Sequence, residues 1–304
     1  MNLESKKNLD ICIPTYNRAI ECIRQIDSLI GELHSSKLYK EISINIIIRD
    51  NHSDKEQYEK IINEIPHFRQ QFLELGVSFT INRNNNNIGL VGNLIEILNV
   101  DSSGDYVWFV GDDDILHPGF LDKIIPLLRY ELALIFMNYN CVHKEYGIVK
   151  SQAFDRKESE DLLSLFRQND AIMMFITSCI YNREVLIASL IHHDAMKFKQ
   201  EITLPLYWAF YAESVGVVNY IDSVIISDVV SGISWGNVYN KVRLSYVPRE
   251  ICKLRSIGYT QVDVVITLLN YYLKNYRFLI GVLLRVFIPN HIVDKTSKLM
   301  KRKK

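Results

Sequence analysis

The chain has no Cys-x-x-Cys pair among its five cysteines, Cys12, Cys22, Cys141, Cys179 and Cys252. Scattered and odd in number, they make neither a zinc cluster nor a disulfide framework, and they suit a reducing compartment, the cytoplasm. Glycine is sparse, 13 in 304 residues, and is never grouped as Gly-x-Gly-x-x-Gly or as a Gly-Lys-Ser/Thr loop. The two common backbone cradles for a pyrophosphate are therefore missing, and any nucleotide bound here needs its phosphates neutralised in another way. Net charge is absent too: 35 basic side chains balance 35 acidic ones, which speaks against a nucleic-acid partner. No uncharged apolar run reaches the roughly 20 residues of a membrane span. The longest toward the C-terminus, Phe278 to Leu284, lies between Arg277 and Arg285. The first ten residues, MNLESKKNLD, carry no apolar signal core, which speaks against export.

What is present is an ordinary globular composition, 48% hydrophobic and 23% charged, arranged around one stretch, DYVWFVGDDDILHP from Asp105 to Pro118. Tyr106 to Val110 read as a strand that is apolar without alternation, as a strand covered on both faces should be. Gly111 follows, then Asp112, Asp113 and Asp114. Three adjacent carboxylates repel one another, and a fold that gathers them usually offsets the charge with a cation. Oxygen-only ligands of this number suit Mg²⁺ or Mn²⁺, with water and substrate phosphate completing the shell. The plainer alternative is a solvated acidic turn that caps the next helix.

Strand and helix patterns alternate along the first half. Leu9 to Pro14 read as a strand that Pro14 ends, and Ile23 to Leu33 as an amphipathic helix. Ile42 to Arg49 form a second strand ending at Asp50, followed by a helix that Pro66 stops. Val77 to Ile81 read as a third strand, Asn82 to Asn87 as a polar loop, and Asn93 to Leu98 as a helix. After the aspartates come a helix from Pro118 to Arg129 and a strand from Leu132 to Tyr139. This order predicts an α/β fold whose mostly parallel central sheet carries helices on both faces. Ligands of such sheets bind outside the carboxyl ends of the strands. Three polar clusters fall there: Thr15-Tyr16-Asn17-Arg18, Asp50-Asn51-His52-Ser53 and the aspartate triplet.

Four segments, CIPTYNR, RDNHSD, NNNNIGLVGN and VGDDDILHP, run in that order between Leu9 and Leu134. In order and spacing they resemble the inverting glycosyltransferases of family 2, which have the GT-A fold, and among them the bacterial transferases that build O-antigen or capsule. The resemblance implies a nucleoside diphosphate sugar donor and Mn²⁺ or Mg²⁺. It assigns Pro14, Tyr16 and Arg18 to the turn that flanks the base, Asp50 to the base itself, and Asn51 and Ser53 to its loop. It lays Asn87 and Gly89 along the nucleotide. Asp113 matches the metal-contacting end of the family's Asp-x-Asp signature, and Asp114 the acidic residue after it. Gly111 departs from the pattern, since many members carry the signature's first aspartate there. Asp112 is expected to take over that role one residue later. The departure keeps open a non-catalytic member that binds a nucleotide sugar or scaffolds an assembly. Tyr16 reads equally as a packing aromatic, and Asn84 and Asn85 as plain loop. A nucleotidyltransferase would carry a glycine-rich basic loop where this chain has PTYNR.

Beyond Asn140 the motifs thin out. Phe154 to Phe166 include a helical acidic stretch read as a mobile loop, and Ala171 to Tyr181 are apolar, either a strand or a buried helix. Inverting transfer needs a general base for the acceptor hydroxyl. The family places a carboxylate after the sheet and shortly before an apolar helix, so Glu201 is the first candidate and Asp194, beside His192 and His193, the second. Val217 to Ile226 read as a late strand. Trp235, flanked by glycines, either closes over the donor or is buried in a tight turn. Val262 to Val293 are helical and amphipathic and lead to KTSKLMKRKK. That pattern suits an anionic membrane surface, at the inner face of the cell membrane, and a saccharide acceptor linked to lipid. The expected division is a catalytic GT-A-like domain over 1–235 and a helical, basic extension over 236–304.

Overall fold

Four strands of mainly apolar residues build the first half of the sheet. β1 (Asn8–Thr15), β2 (Ser43–Asp50), β3 (Ser78–Arg83) and β4 (Tyr106–Phe109) pair in parallel in the order β3-β2-β1-β4. The computed structural model describes residues 6–157, 160–170, 172–193, 202–230, 239–276 and 278–280. The connections between these strands carry α1 (Ala19–Ser35), α2 (Lys55–Leu75) and α3 (Gly89–Glu96). Ile46, Ile47 and Ile48 are all buried on consecutive positions of β2, as a strand covered on both faces requires.

The second half is mixed. β5 (Ile115–Leu116) pairs antiparallel with β9 (Val218–Val230) at the sheet's edge. β6 (Leu134–His143) runs parallel to β9 and antiparallel to β7 (Gly147–Lys150) and β8 (Cys179–Asn182). β8 also pairs antiparallel with β4, which joins the two halves into one curled sheet. Helices α4 (Phe120–Ile124), α5 (Leu162–Gln168), α6 (Arg183–His193) and α7 (Leu204–Val215) accompany this half. The core is centred on β4. Trp108 meets Phe120 edge to face at 5.4 Å and Phe109 stacks with Trp208 at 6.0 Å. Trp108 Nε1 donates to the Thr177 carbonyl at 2.8 Å, so the buried indole keeps a partner.

Several local expectations give way to tertiary structure. Pro14 does not end β1, which continues to Thr15. The β4 ladder stops at Cys12, so Pro14 lies where one side of β1 has no strand to donate to. Pro66 lies inside α2 rather than at its end. Ile61, Ile65, Phe68 and Phe72 are all buried along that helix, and their packing outweighs one lost backbone bond. Gly76 at φ +69° closes it. The stretch read as a mobile loop holds a buried Phe154, stacked on Phe136 at 5.3 Å, and α5. Of the apolar run from Ala171 to Tyr181, the described residues 172–181 are neither one strand nor one helix: two short turns, Ile172–Met174 and Ile176–Ser178, lead into β8.

The chain divides into two compact units, Met1–Val238 and Tyr239–Lys304. The second contains α8 (Tyr239–Lys241), α9 (Val247–Lys253) and α10 (Gln261–Lys274). A capping box between Thr260 and Asp263 starts α10, and the Tyr271 hydroxyl donates to the Arg243 carbonyl at 2.9 Å. Among the described residues no helix is long and apolar enough to cross a membrane.

Candidate functional site

The parallel register aligns the carboxyl ends of β3, β2 and β1, so that Arg83 pairs with Asp50 and Asp50 with Thr15. Val110, just past β4, donates to the Cys12 carbonyl, which brings the aspartate triplet to the same edge. The polar loops at this edge are stitched to one another. Asn51 N donates to the Thr15 carbonyl at 2.8 Å, and Asn17 N to Ser53 Oγ at 2.8 Å. Asn17 and Asp54 exchange two further bonds. Asn17 and His52 both hold left-handed φ, +54° and +67°, a conformation asparagine and histidine adopt more readily than most residues.

Asp50 is fully buried. Its carboxylate accepts from Ser53 N at 3.0 Å and from Ser53 Oγ, and its Oδ2 forms an ion pair with Arg83 Nε at 3.1 Å. Arg83 in turn stacks on Tyr58, 4.1 Å from the ring centre, and donates to the Ser53 carbonyl. Pro14 is buried within β1, whereas Tyr16 is 44% exposed at the rim.

Behind this loop lies a network of amides. Asn84, read from sequence as plain loop, is buried. It accepts from Arg49 Nε at 2.7 Å and donates to Asn51 Oδ1 at 2.9 Å and Asn93 Oδ1 at 2.8 Å. Asn51 passes the order on: its Nδ2 donates to Asn87 Oδ1 at 2.9 Å and to the Gly89 carbonyl at 3.2 Å. Gly89 holds φ +75°, which favours glycine at the start of α3. The buried Arg49 is anchored by both oxygens of Asp101, at 2.9 and 2.7 Å, and by Glu96 at 3.3 Å.

The aspartates divide their tasks. Asp112 is 5% exposed; it accepts from Thr15 Oγ1 at 2.8 Å and from Arg18 at 3.1 Å. Burial pushes its carboxyl up to about 6, against the pull of Thr15 and Arg18. Asp113 faces the rim and shares the Arg18 guanidinium, while Arg24 donates to its carbonyl at 3.1 Å. Asp114 folds back into the protein. Its Oδ2 accepts from Thr177 Oγ1 at 2.5 Å, and burial holds its carboxyl well above the ordinary range. A Cβ at Gly111 would collide with that same oxygen. Gly111 is thus glycine because Asp114 occupies the space a side chain would need. Asp228 on β9 adds a fourth carboxylate: burial and Asp113 both raise it, and Cys141 Sγ lies 3.9 Å from its Oδ2.

The sequence profile of glycosyl transferase family 2 matches residues 10–190, which include the strand ends and the aspartate triplet but not Asp228. The chain belongs to that family. Residues 1–349 of TarS from S. aureus superpose with a TM-score of 0.61 at 15% identity, covering 89% of this chain and 72% of that one. The same protein in complex with UDP-GlcNAc gives 0.61 at 14% identity, over 89% and 73%. The mannosyltransferase PcManGT from Pyrobaculum calidifontis, in complex with GDP-Man and Mn²⁺, gives 0.54 at 12% identity, over 88% and 70%. At these identities the likeness is one of fold, a GT-A fold here followed by a helical unit. No protein of curated function matches the chain.

Within this family 2 chain the edge gathers Tyr16, Arg18, Asp50, Asn51, Ser53, Asn87, Gly89, Asp112 and Asp113. Arg18, expected beside the base, lies on the aspartates instead. Asp114, expected beside Asp113 at the metal, is turned toward Thr177. Glu201, Asp194 and Trp235 lie outside the described residues. His192 and His193 are the last residues of α6, and His192 Nδ1 lies 2.6 Å from the Tyr207 hydroxyl. Among the described residues no group of three His, Cys, Asp or Glu side chains is placed to hold a metal ion. Sequence reading passed over Arg83, Thr177 and Asp228. Arg83 had a signal, as a charged residue at the end of a parallel strand; the other two come from the mixed half of the sheet, where no motif marks them.

Proposed function

We propose that this protein transfers a sugar, with inversion, from a nucleoside diphosphate sugar to a saccharide acceptor, the acceptor being lipid-linked and the product a surface polysaccharide such as O-antigen or capsule. The observation that carries the reading is the shared edge itself. A buried, ordered carboxylate at Asp50 and a rim carboxylate at Asp113 stand on either side of the β1 terminus in one row of strand ends, which suits the base and the diphosphate of one nucleotide. Asp50 and Ser53 address the base, with Tyr16 and Pro14 beside them. Asn51, Asn87 and Gly89 line the path toward the phosphates.

The donor set at the aspartates fits a hard divalent ion. Asp112 and Asp113 offer oxygen ligands drawn to one point, now met by Arg18, and two carboxylates are what Mg²⁺ or Mn²⁺ commonly takes from protein beside phosphate oxygens. Asp113, with Asp112, would hold the ion, which when bound stabilises charge on the departing diphosphate. Asp114 supports them from behind, through Thr177 and Gly111. Arg18 is placed to exchange a carboxylate for a phosphate oxygen. Glu201, or failing it Asp194, takes the acceptor's proton as its oxygen attacks the anomeric carbon.

Incubation with an α-linked nucleoside diphosphate sugar and a saccharide acceptor should give a β-linked product by NMR. Asp113→Asn should lower turnover by about a hundredfold or more, in the range found when a transition-state charge loses its partner. An α-linked product would refute inversion, and normal turnover by the variant would refute the role of Asp113.

A further inference from the structure

Helix α10 is apolar on two faces. Val264, Thr267 and Tyr271 are buried within the second unit. Val262, Val265, Ile266, Leu269 and Leu273 are exposed, Val262 to 64% and Leu273 to 71%. At about 100° per residue these five fall within an arc of about 100°, on the side opposite the buried three. Asp263 and Lys274 lie outside that arc. Tyr272 flanks it, 37% exposed, an aromatic of the kind that settles at a membrane–water boundary. A solvated helix face is ordinarily polar, and a continuous apolar one marks a binding surface.

Charge selects the occupant. The ten residues from Lys295 to Lys304 contain six basic side chains and no acidic one. The remaining 294 residues carry six more acidic than basic side chains. The basic charge is therefore concentrated in the last ten residues, C-terminal to α10 in sequence, while the rest of the chain carries a net negative charge.

We propose that the exposed stripe of α10 is the face by which this protein lies on an anionic bilayer. Its aliphatic side chains enter the boundary between headgroups and acyl chains, and residues 295–304 meet anionic headgroups. The proposal rests on the lipid-linked acceptor reading only in giving that reading a surface, and its test does not involve the acceptor.

The full chain and the double variant Leu269→Ser/Leu273→Ser are sedimented with vesicles of phosphatidylcholine, alone or mixed with phosphatidylglycerol. The wild type should bind the mixed vesicles and not the neutral ones, with binding that weakens as salt is added. The double variant should lower the partition coefficient by about tenfold or more, given the apolar area withdrawn, at an unchanged melting temperature. Equal partitioning of the two proteins, or no binding by the wild type, overturns the proposal. So does a variant that turns a dimer into a monomer in sedimentation velocity without changing vesicle binding, which assigns the stripe to a second copy. A lowered melting temperature in a protein that ignores vesicles also overturns it, and assigns the stripe to residues 281–293. Vesicle binding without any nucleotide-induced stabilisation would keep this proposal and refute the donor site, so the two readings fail separately.

Discussion

At the scale of single residues, the aspartate triplet explains why its neighbour is glycine. The Asp114 carboxylate rests where a Gly111 side chain would begin. Gly111→Ala should therefore cost roughly 2 kcal/mol, and Gly111→Asp more, as overpacking beside a buried polar group does. The urea midpoint reads this, and an unshifted midpoint for Gly111→Ala would show that Asp114 is not held there. Asp112 makes a second prediction. Burial raises its carboxyl to about 6, above an unfolded value of about 4. The proton it retains on folding stabilises the metal-free protein fully below that unfolded value, and this stabilisation is lost as pH rises through about 6. Asp112→Asn cannot titrate. From about pH 4 to about pH 7 the variant should gain on the wild type by on the order of 2 kcal/mol. Melting curves across that window check it, and a constant difference would contradict it.

At the scale of elements, the loops of the site stand on buried polar supports. Arg49 ties the end of β2 to Asp101 and Glu96, and through Asn84 it orders Asn51, Asn87 and the start of α3. Arg49→Met leaves the Asp101 carboxylate buried without its cation and should cost about 3–4 kcal/mol. Asn84→Ala should cost about 1–2 kcal/mol and should raise hydrogen exchange at residues 84–89. Unchanged exchange there would show that the loop is ordered by something else. This network also marks what sequence can and cannot convey. The first four strands were legible because apolar runs alternate with polar clusters, and the cluster positions named the edge. Asn84 was not, because a run of four asparagines looks the same whether solvated or buried; its role depends on an arginine 35 positions earlier pointing inward. Pro66 misled because its local preference is to end a helix, and the buried row of Ile61, Ile65, Phe68 and Phe72 prevails over it. The second half was opaque for a related reason. β8 is only four residues of an apolar run, and its antiparallel place between β4 and β6 leaves no period to read.

At the scale of the whole molecule, a parallel half-sheet presents Thr15, Arg18 and Asp50 at its carboxyl edge, and a mixed half-sheet meets it at β4 and β8. The aspartates sit at that join, so Asp112 and Asp113 reach Thr15 and Arg18 on one side while Asp114 reaches Thr177 on the other. Binding to the native state raises its apparent stability. The decisive measurement is the melting temperature of the protein with nucleoside diphosphates and their sugars, with and without Mn²⁺, for the wild type, Asp50→Asn and Asp113→Asn. One nucleotide should raise the wild-type value in a metal-dependent way. Asp50→Asn should weaken the shift by blunting choice of base, and Asp113→Asn should abolish its dependence on Mn²⁺. No shift with any nucleoside diphosphate or its sugar, at concentrations that saturate ordinary donor sites, would contradict the account at its centre.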